Sequence, residues 1–507
     1  MEHDPGLNKL SPQGGYYDRR RFLQGLAGGA TALLTASPKG SGESSRPRNT
    51  FEQRGYYFTF CRMPTVGLDE WKQILTLMKA DGCNFLILWV AGAFRSKKFP
   101  ITWQYNAEHR NIQQDFVREL IDFAHSMGIR TVLGFTPFAY DGVNQYALQH
   151  PELKAYQRNG SLAPLAGMDC WGYALNPSKP EAQQFMLDYA SEMYFDFYPN
   201  ADGLFIESSD YTICWCPYCK GHYYEKEFEF VKAISERVWK KSPRATIVVY
   251  PHYFSGAEIP NFGRAASEKY DPRWTLFFTP HSAPLKKDVV QMARESIYWD
   301  AMVLQTPSKV KQSARKARDF GATGYVVSAE SYSYLARYPE GGNWNLIGKR
   351  LKPFGYLWVD GMTDLYGYLL TRVLRVAYRE YSRNPDLTFD EFRQRLNAEV
   401  FDPATPPSAV DDLLEVQNAY ATDRTWFTAG PAVSPEIMKW QLELGRVKPA
   451  QLENYRLMLD RLREIRRKYE ATPKDPAVRE MVRVIDWIDE RWKGEEAILR
   501  PPYRTPK

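Results

Sequence analysis

The chain has 507 residues, too many for one small domain, and 44% of them are hydrophobic, which supplies ample core. Charged residues are an ordinary 25% and the formal net charge is only +6, so nothing points to nucleic acid as a partner. Six cysteines (Cys61, Cys83, Cys170, Cys214, Cys216 and Cys219) are too few for a disulfide scaffold, while the 15% of aromatic residues suits both a core and a sugar-binding cleft.

The N-terminus carries Asp18-Arg19-Arg20-Arg21-Phe22-Leu23-Gln24, then a weakly apolar, glycine- and alanine-rich run from Gly25 to Ala36. This resembles a twin-arginine (Tat) export signal. The run is too short and too glycine-rich for a membrane span. Pro38 to Asn49 reads as a flexible linker. Residues 1–50 are therefore set apart from the fold as a Tat signal and linker, with cleavage expected near Ala32 or Ala36. The resemblance implies the Tat export machinery as a partner and a periplasmic or extracellular location.

From Phe51 the pattern alternates. Strand-like runs are expected at Tyr56–Cys61, Phe85–Val90, Arg130–Thr136, Asp202–Glu207, Ala245–Tyr250, Trp274–Phe278, Ile297–Leu304 and Thr323–Ser328. Between them, Asp69–Lys79, Gln113–Met127, Pro180–Tyr198, Gly221–Lys240 and Lys309–Phe320 show helical spacing, and Pro137–Ser178 is an insert rich in turn residues. Eight β runs alternating with helices predict an α/β fold, a (β/α)8 TIM barrel over residues 51–360. A doubly wound sheet lacks support, since no G-x-G-x-x-G follows a strand. Phe354–Trp358 is an alternative closing strand. Beyond it Leu365–Tyr381, Thr388–Val400, Ala409–Ala421, Ala450–Tyr469 and Val478–Trp492 read as helices, so residues 361–507 are expected to form a C-terminal helical domain.

The centre of the chain is Ala201-Asp202-Gly203-Leu204-Phe205-Ile206-Glu207. Its apolar run stops at a carboxylate, and a polar residue at the C-terminal end of a barrel strand points into the active-site mouth. Cys214, Cys216 and Cys219 follow as C-x-C-x2-C. Thiolates favour a tetrahedral zinc site, and Cys170, on the preceding loop, is the natural fourth ligand of a closed, structural centre. A disulfide within the trio is the alternative.

A strand-end Glu followed by this cysteine trio, with a further Cys one loop earlier, resembles the family 42 β-galactosidases over about residues 165–220. The resemblance implies Glu207 as acid/base and Cys170, Cys214, Cys216 and Cys219 around zinc. The family's Asn before the acid/base is replaced by Ile206, so its substrate is not carried over. Asn176-Pro177-Ser178-Lys179-Pro180 is similar to segments of other bacterial glycoside-hydrolase-like barrels, some related to families acting on N-acetylhexosaminides or glucuronides.

Glycoside hydrolysis needs two carboxyl groups. Glu330, ending Val326-Val327-Ser328-Ala329-Glu330, is the expected nucleophile opposite Glu207, with Asp210 a rival. In the family 42 type the nucleophile belongs to the seventh strand, whereas Glu330 follows the eighth run. Asp141, Asn144, Asp210, His252 and His281, which follow expected strands, and Asp300, in the run Ile297–Leu304, are candidates for binding substrate hydroxyls. Arg95, Lys97 and Lys98 could meet a uronate carboxylate. No G-x-S-x-G elbow, H-E-x-x-H or Walker loop is present, which removes the commonest rival hydrolases and nucleotide binders. The expectation is an exported glycosidase with carbohydrate as its substrate. A non-catalytic carbohydrate-binding protein is the alternative, and an exported oxidoreductase has no cofactor fingerprint behind it.

Overall fold

The computed structural model describes residues 53–64, 66–165, 172–209, 213–251, 270–278, 295–300, 324–328 and 354–359, scattered positions between 372 and 383, and then 387–421, 435–443, 449–470 and 474–499. The chain divides into two units between Arg48 and Asn49, and every described element belongs to the second.

Among the described residues nine strands form one parallel sheet: β1 (Gln53–Phe58), β2 (Phe85–Trp89), β3 (Arg130–Phe135), β4 (Gly203–Glu207), β5 (Thr246–Tyr250), β6 (Thr275–Phe278), β7 (Glu295–Asp300), β8 (Gly324–Ser328) and β9 (Phe354–Val359). Each pairs with the next, and β9 pairs back onto β1 through Gln53↔Phe354 to Phe58↔Val359, closing a barrel. The expected eightfold (β/α)8 count is thus corrected. All eight expected strands have counterparts, and a ninth, the alternative at Phe354–Trp358, lies between β8 and β1.

Runs such as Phe85-Leu86-Ile87-Leu88-Trp89 are apolar on both faces because both are covered, and all five residues are buried. Alternation decides which face is which. Strand partners around the ring, together with the two-residue alternation along each strand, put Tyr57, Ile87, Val132, Phe205, Val248 and Phe277 on one face, or row, of the sheet. Ring contacts between Tyr57, Trp89, Phe205 and Phe277 identify this row as the barrel interior. Glu207, two residues after Phe205, is on the same row at the open end of β4.

The flanking helices explain themselves locally. In α1 (Leu68–Ala80), Trp71, Leu75 and Met78 repeat at helical spacing and are all buried, while Glu70 accepts the Gly67 N–H at the start. The barrel is further wrapped by α2 (Val117–Ser126), α3 (Val143–Gln149), α4 (Pro180–Ser191) and α5 (Tyr223–Lys241). The helix expected to run from Pro180 to Tyr198 instead widens into a π turn over Glu192–Phe197. Here the buried Glu192 carboxylate accepts from Ser96 Oγ and the backbone N–H groups of Lys97 and Lys98. That loop therefore receives its own carboxylate, and Arg95 lies over the Trp103 ring.

The C-terminal part contains α6 (Phe389–Val400), α7 (Ala409–Ala421), α8 (Pro435–Glu443), α9 (Pro449–Lys468) and α10 (Pro476–Trp492). Thr388 and Glu391 form a capping box before α6, and Asp475 caps α10. This part is tied to the base of the barrel by Arg375 and Arg379, which bind Asp81 at the end of α1 and Glu399 of α6. The expected helix at Lys309–Phe320 lies outside the described residues. Among the described residues no helix is long and apolar enough to cross a membrane.

Candidate active site

The mouth of the barrel is defined by the end of β4. The Glu207 side chain is half-buried, and the Tyr57 hydroxyl, arriving from β1, donates to its Oε2 at 3.2 Å. β1 and β4 are not neighbours in the sheet, so this bond spans the barrel interior. Tyr57 is held by Trp89 and Phe205, with ring centroids 5.8 and 5.3 Å away. Behind Glu207, the Ser208 N–H donates to the Tyr250 carbonyl, and Ser208 Oγ donates to the buried Glu227 of α5. The strand end is therefore fixed from the neighbouring strand and from the helix that follows it.

A second carboxylate lies in the loop after β3. Asp141 is half-buried and its Oδ2 accepts the Trp89 indole N–H at 2.8 Å. The backbone here is unusual: Phe138, Tyr140 and Asp141 have φ of 61, 48 and 40°, a left-handed region that non-glycine residues seldom enter. The next residue, Gly142, has φ 93°, and a Cβ there would lie 2.0 Å from the Thr102 carbonyl oxygen. Asn144 is buried and its Oδ1 accepts the Gly142 N–H, so its amide holds the turn that presents Asp141.

The cysteine trio is assembled. The Sγ atoms of Cys214, Cys216 and Cys219 are buried, lie within 4.8 Å of one another and form no disulfide. Tetrahedral zinc with bonds of ~2.3 Å sets its sulfurs about 3.8 Å apart, so the donor set fits such an ion after a small contraction. Hydrogen bonding from Cys219 pulls the Cys214 thiol down to about 6, and the same bond pushes Cys219 up. Asn176 completes the pocket: its Nδ2 donates to Cys216 Sγ at 3.4 Å and its Oδ1 accepts from Cys219 Sγ at 3.1 Å. The Asn176-Pro177-Ser178 segment is thus a wall of the cysteine pocket, with Ser178 Oγ 3.8 Å from Cys216 Sγ. The Trp215 N–H donates to the Tyr156 carbonyl, fastening the loop after β4 to the insert after β3.

Of the other expected site residues, Asp300 ends β7 in register with Val327 of β8. Glu330, Asp210, His252, His281 and Cys170 lie outside the described residues. Sequence reasoning missed Tyr57, Trp89 and Glu227, and noted Asn176 only as part of a motif. The first two were within reach, because both fall on the inward row that the alternation of Phe205 and Glu207 defines.

No protein-family profile and no curated protein matches the chain. Its likeness is to solved structures. A GH138 enzyme targeting pectin rhamnogalacturonan II is 10% identical, with a TM-score of 0.51 over 93% of this chain; the chain spans 61% of that protein's length. An O-GlcNAc hydrolase of Thermobaculum terrenum is 12% identical, with coverage of 88% and 84% and a TM-score of 0.43. The pneumococcal virulence factor StrH is 12% identical, with coverage of 74% and 92% and a TM-score of 0.45. At such identities the likeness to the first of these is one of fold alone.

Proposed function

We propose that this protein hydrolyses O-glycosidic bonds, with Glu207 as general acid/base. The observation that carries the reading is Glu207 at the open end of β4, on the inward row, bonded to the Tyr57 hydroxyl. A phenol both donates and accepts. The same contact can therefore serve an ionised Glu207 and a protonated one, as an acid/base that gains and loses a proton in each cycle requires. Tyr57, Trp89 and Phe205 are buried against one another, which fixes the Tyr57 hydroxyl that meets Glu207. The partner carboxylate expected from the sequence is Glu330, acting as nucleophile.

Cys214, Cys216 and Cys219, with Cys170 as fourth ligand, are proposed to hold one structural zinc ion. The metal would pin the loop after β4 to the insert after β3, beside Glu207, and take no part in the reaction. The paired Arg19-Arg20 with Phe22-Leu23 supports export by the Tat route to the periplasm or beyond.

The test is a panel of nitrophenyl glycosides, including glucuronides and N-acetylhexosaminides, assayed with wild type and Glu207→Gln. Turnover that the substitution abolishes supports the enzyme. Sugar binding without turnover by the wild type would make the chain a carbohydrate-binding protein on a glycosidase scaffold.

A further inference from the structure

Two carboxylates at the barrel mouth are each held by an aromatic donor, and the two donors touch. Tyr57 binds Glu207, Trp89 binds Asp141, and the Tyr57 and Trp89 ring centroids are 5.8 Å apart. The donors differ in kind. An indole N–H donates and cannot accept, whereas a phenol does both. Asp141 Oδ2 is therefore oriented by a partner that gives a hydrogen bond and can take none in return.

The backbone agrees with a positioned carboxylate. Three left-handed non-glycine residues in four positions, ending at Asp141, are conformations that surrounding structure must enforce. The enforcement is visible. Asn144 Oδ1 holds the Gly142 N–H, and the Asp141 carbonyl lies 2.7 Å from where a Cβ on Gly92 would be. The strands that carry these groups, β2, β3 and β4, are consecutive in the sheet, so Asp141 and Glu207 follow adjacent strands on one side of the mouth.

We propose that Asp141 is a catalytic carboxylate of the same reaction, its fixed position letting it stabilise the positive charge that develops at the anomeric carbon while Glu207 exchanges the proton. Trp89 is its positioning residue. A fixed negative charge in a partly desolvated mouth is an effective way to stabilise such a transition state. The role rests on the glycosidase reading above and goes beyond hydroxyl binding, the part that sequence alone gives Asp141.

The experiment compares wild type with Asp141→Asn, Trp89→Phe and Glu330→Gln on whichever aryl glycoside the panel shows to be turned over. Asn is the substitute that best tolerates a left-handed backbone, so Asp141→Asn is expected to keep the wild-type melting temperature. Its kcat should fall by ~100-fold or more with KM changed little, the scale on which a preorganised electrostatic group is lost. Trp89→Phe keeps the ring and removes the N–H. It should lower kcat less than Asp141→Asn and move the pH dependence of kcat. A wild type without turnover overturns the glycosidase reading and this role together. An active wild type whose Asp141→Asn variant keeps kcat within a few-fold, or loses only KM, overturns the role of Asp141 alone. So does complete loss in Glu330→Gln alongside an unaffected Asp141→Asn.

Discussion

The mouth and the base of the barrel both carry carboxylates, and the two ends treat them oppositely. At the base, Asp81 is 3% exposed and receives both Arg375 Nη1, at 2.7 and 2.6 Å, and Arg379 Nη1, at 3.0 Å. Glu399 and Glu380 close the same network through Arg375, Arg379 and Arg395. At the mouth, Glu207 and Asp141 are half-buried and lie where strained loops and aromatic walls converge. A buried acid saturated with guanidinium groups has no capacity left for chemistry and serves to join parts of the fold. An acid at an open strand end, held by a phenol or an indole, is oriented without being neutralised by a guanidinium on the same oxygen. Position along the strand, more than residue type, separates stability from function in this architecture.

Substitutions at the two ends should therefore give opposite phenotypes. The largest expected effect on stability is at the base. Asp81→Ala leaves Arg375 buried without its main partner, a change that costs about 3–5 kcal/mol. Urea denaturation should show that loss, while turnover per folded molecule stays at the wild-type value. Reduced turnover at full stability would blur the distinction between the ends.

Next comes the cysteine pocket, which belongs to the mouth by position and to the stabilising class by chemistry. Purified protein is expected to contain about one zinc per chain by elemental analysis. Cys216→Ser should release it, lower the melting temperature and weaken turnover only through the loosened loops after β3 and β4. A fully active, metal-free wild type would remove zinc from the account.

A smaller effect is expected from acid. Burial raises the Glu399 carboxyl, but its hydrogen bond from Arg379 and the charges of Arg375 and Arg379 outweigh that and hold it down to about 2. A depressed folded-state value contributes stability that is complete above the unfolded value of 4.5 and lost as pH falls from there through about 2. The denaturation midpoint should decline across that window, and Glu399→Gln should flatten the decline. A decline of equal depth in the variant would assign the acid sensitivity to other groups.

Much of the barrel could be read from the sequence because parallel strands covered on both faces are apolar throughout, as Phe85–Trp89 and Gly203–Glu207 show. Strand existence was clear from such runs, whereas closure depends on partners far apart in the chain: β9 joins Gln53–Phe58 after some 300 residues, a pairing no local pattern encodes. Glu207 was legible because a carboxylate interrupts an apolar run. The same alternation could place Tyr57 and Trp89 on the inward face but not give them a role, because an aromatic residue in a strand reads equally well as core. Their donor atoms gain meaning only once the ring of strands brings β1 and β2 across from β4 and the loop after β3. Asn176 was noticed as part of a motif, and its purpose became plain only when the insert folded back to put its amide between two thiols.

The central claim, that Glu207 donates the proton to a departing sugar oxygen, is tested most directly by varying the leaving group. Wild type and Glu207→Gln would be compared on aryl glycosides of one sugar whose phenols span a wide range of acidity. Loss of a general acid should lower kcat by ~100- to 10,000-fold on the most basic phenols and far less on the most acidic, which leave unaided. A Glu207→Gln variant that loses the same factor on every leaving group, or loses nothing, would contradict it.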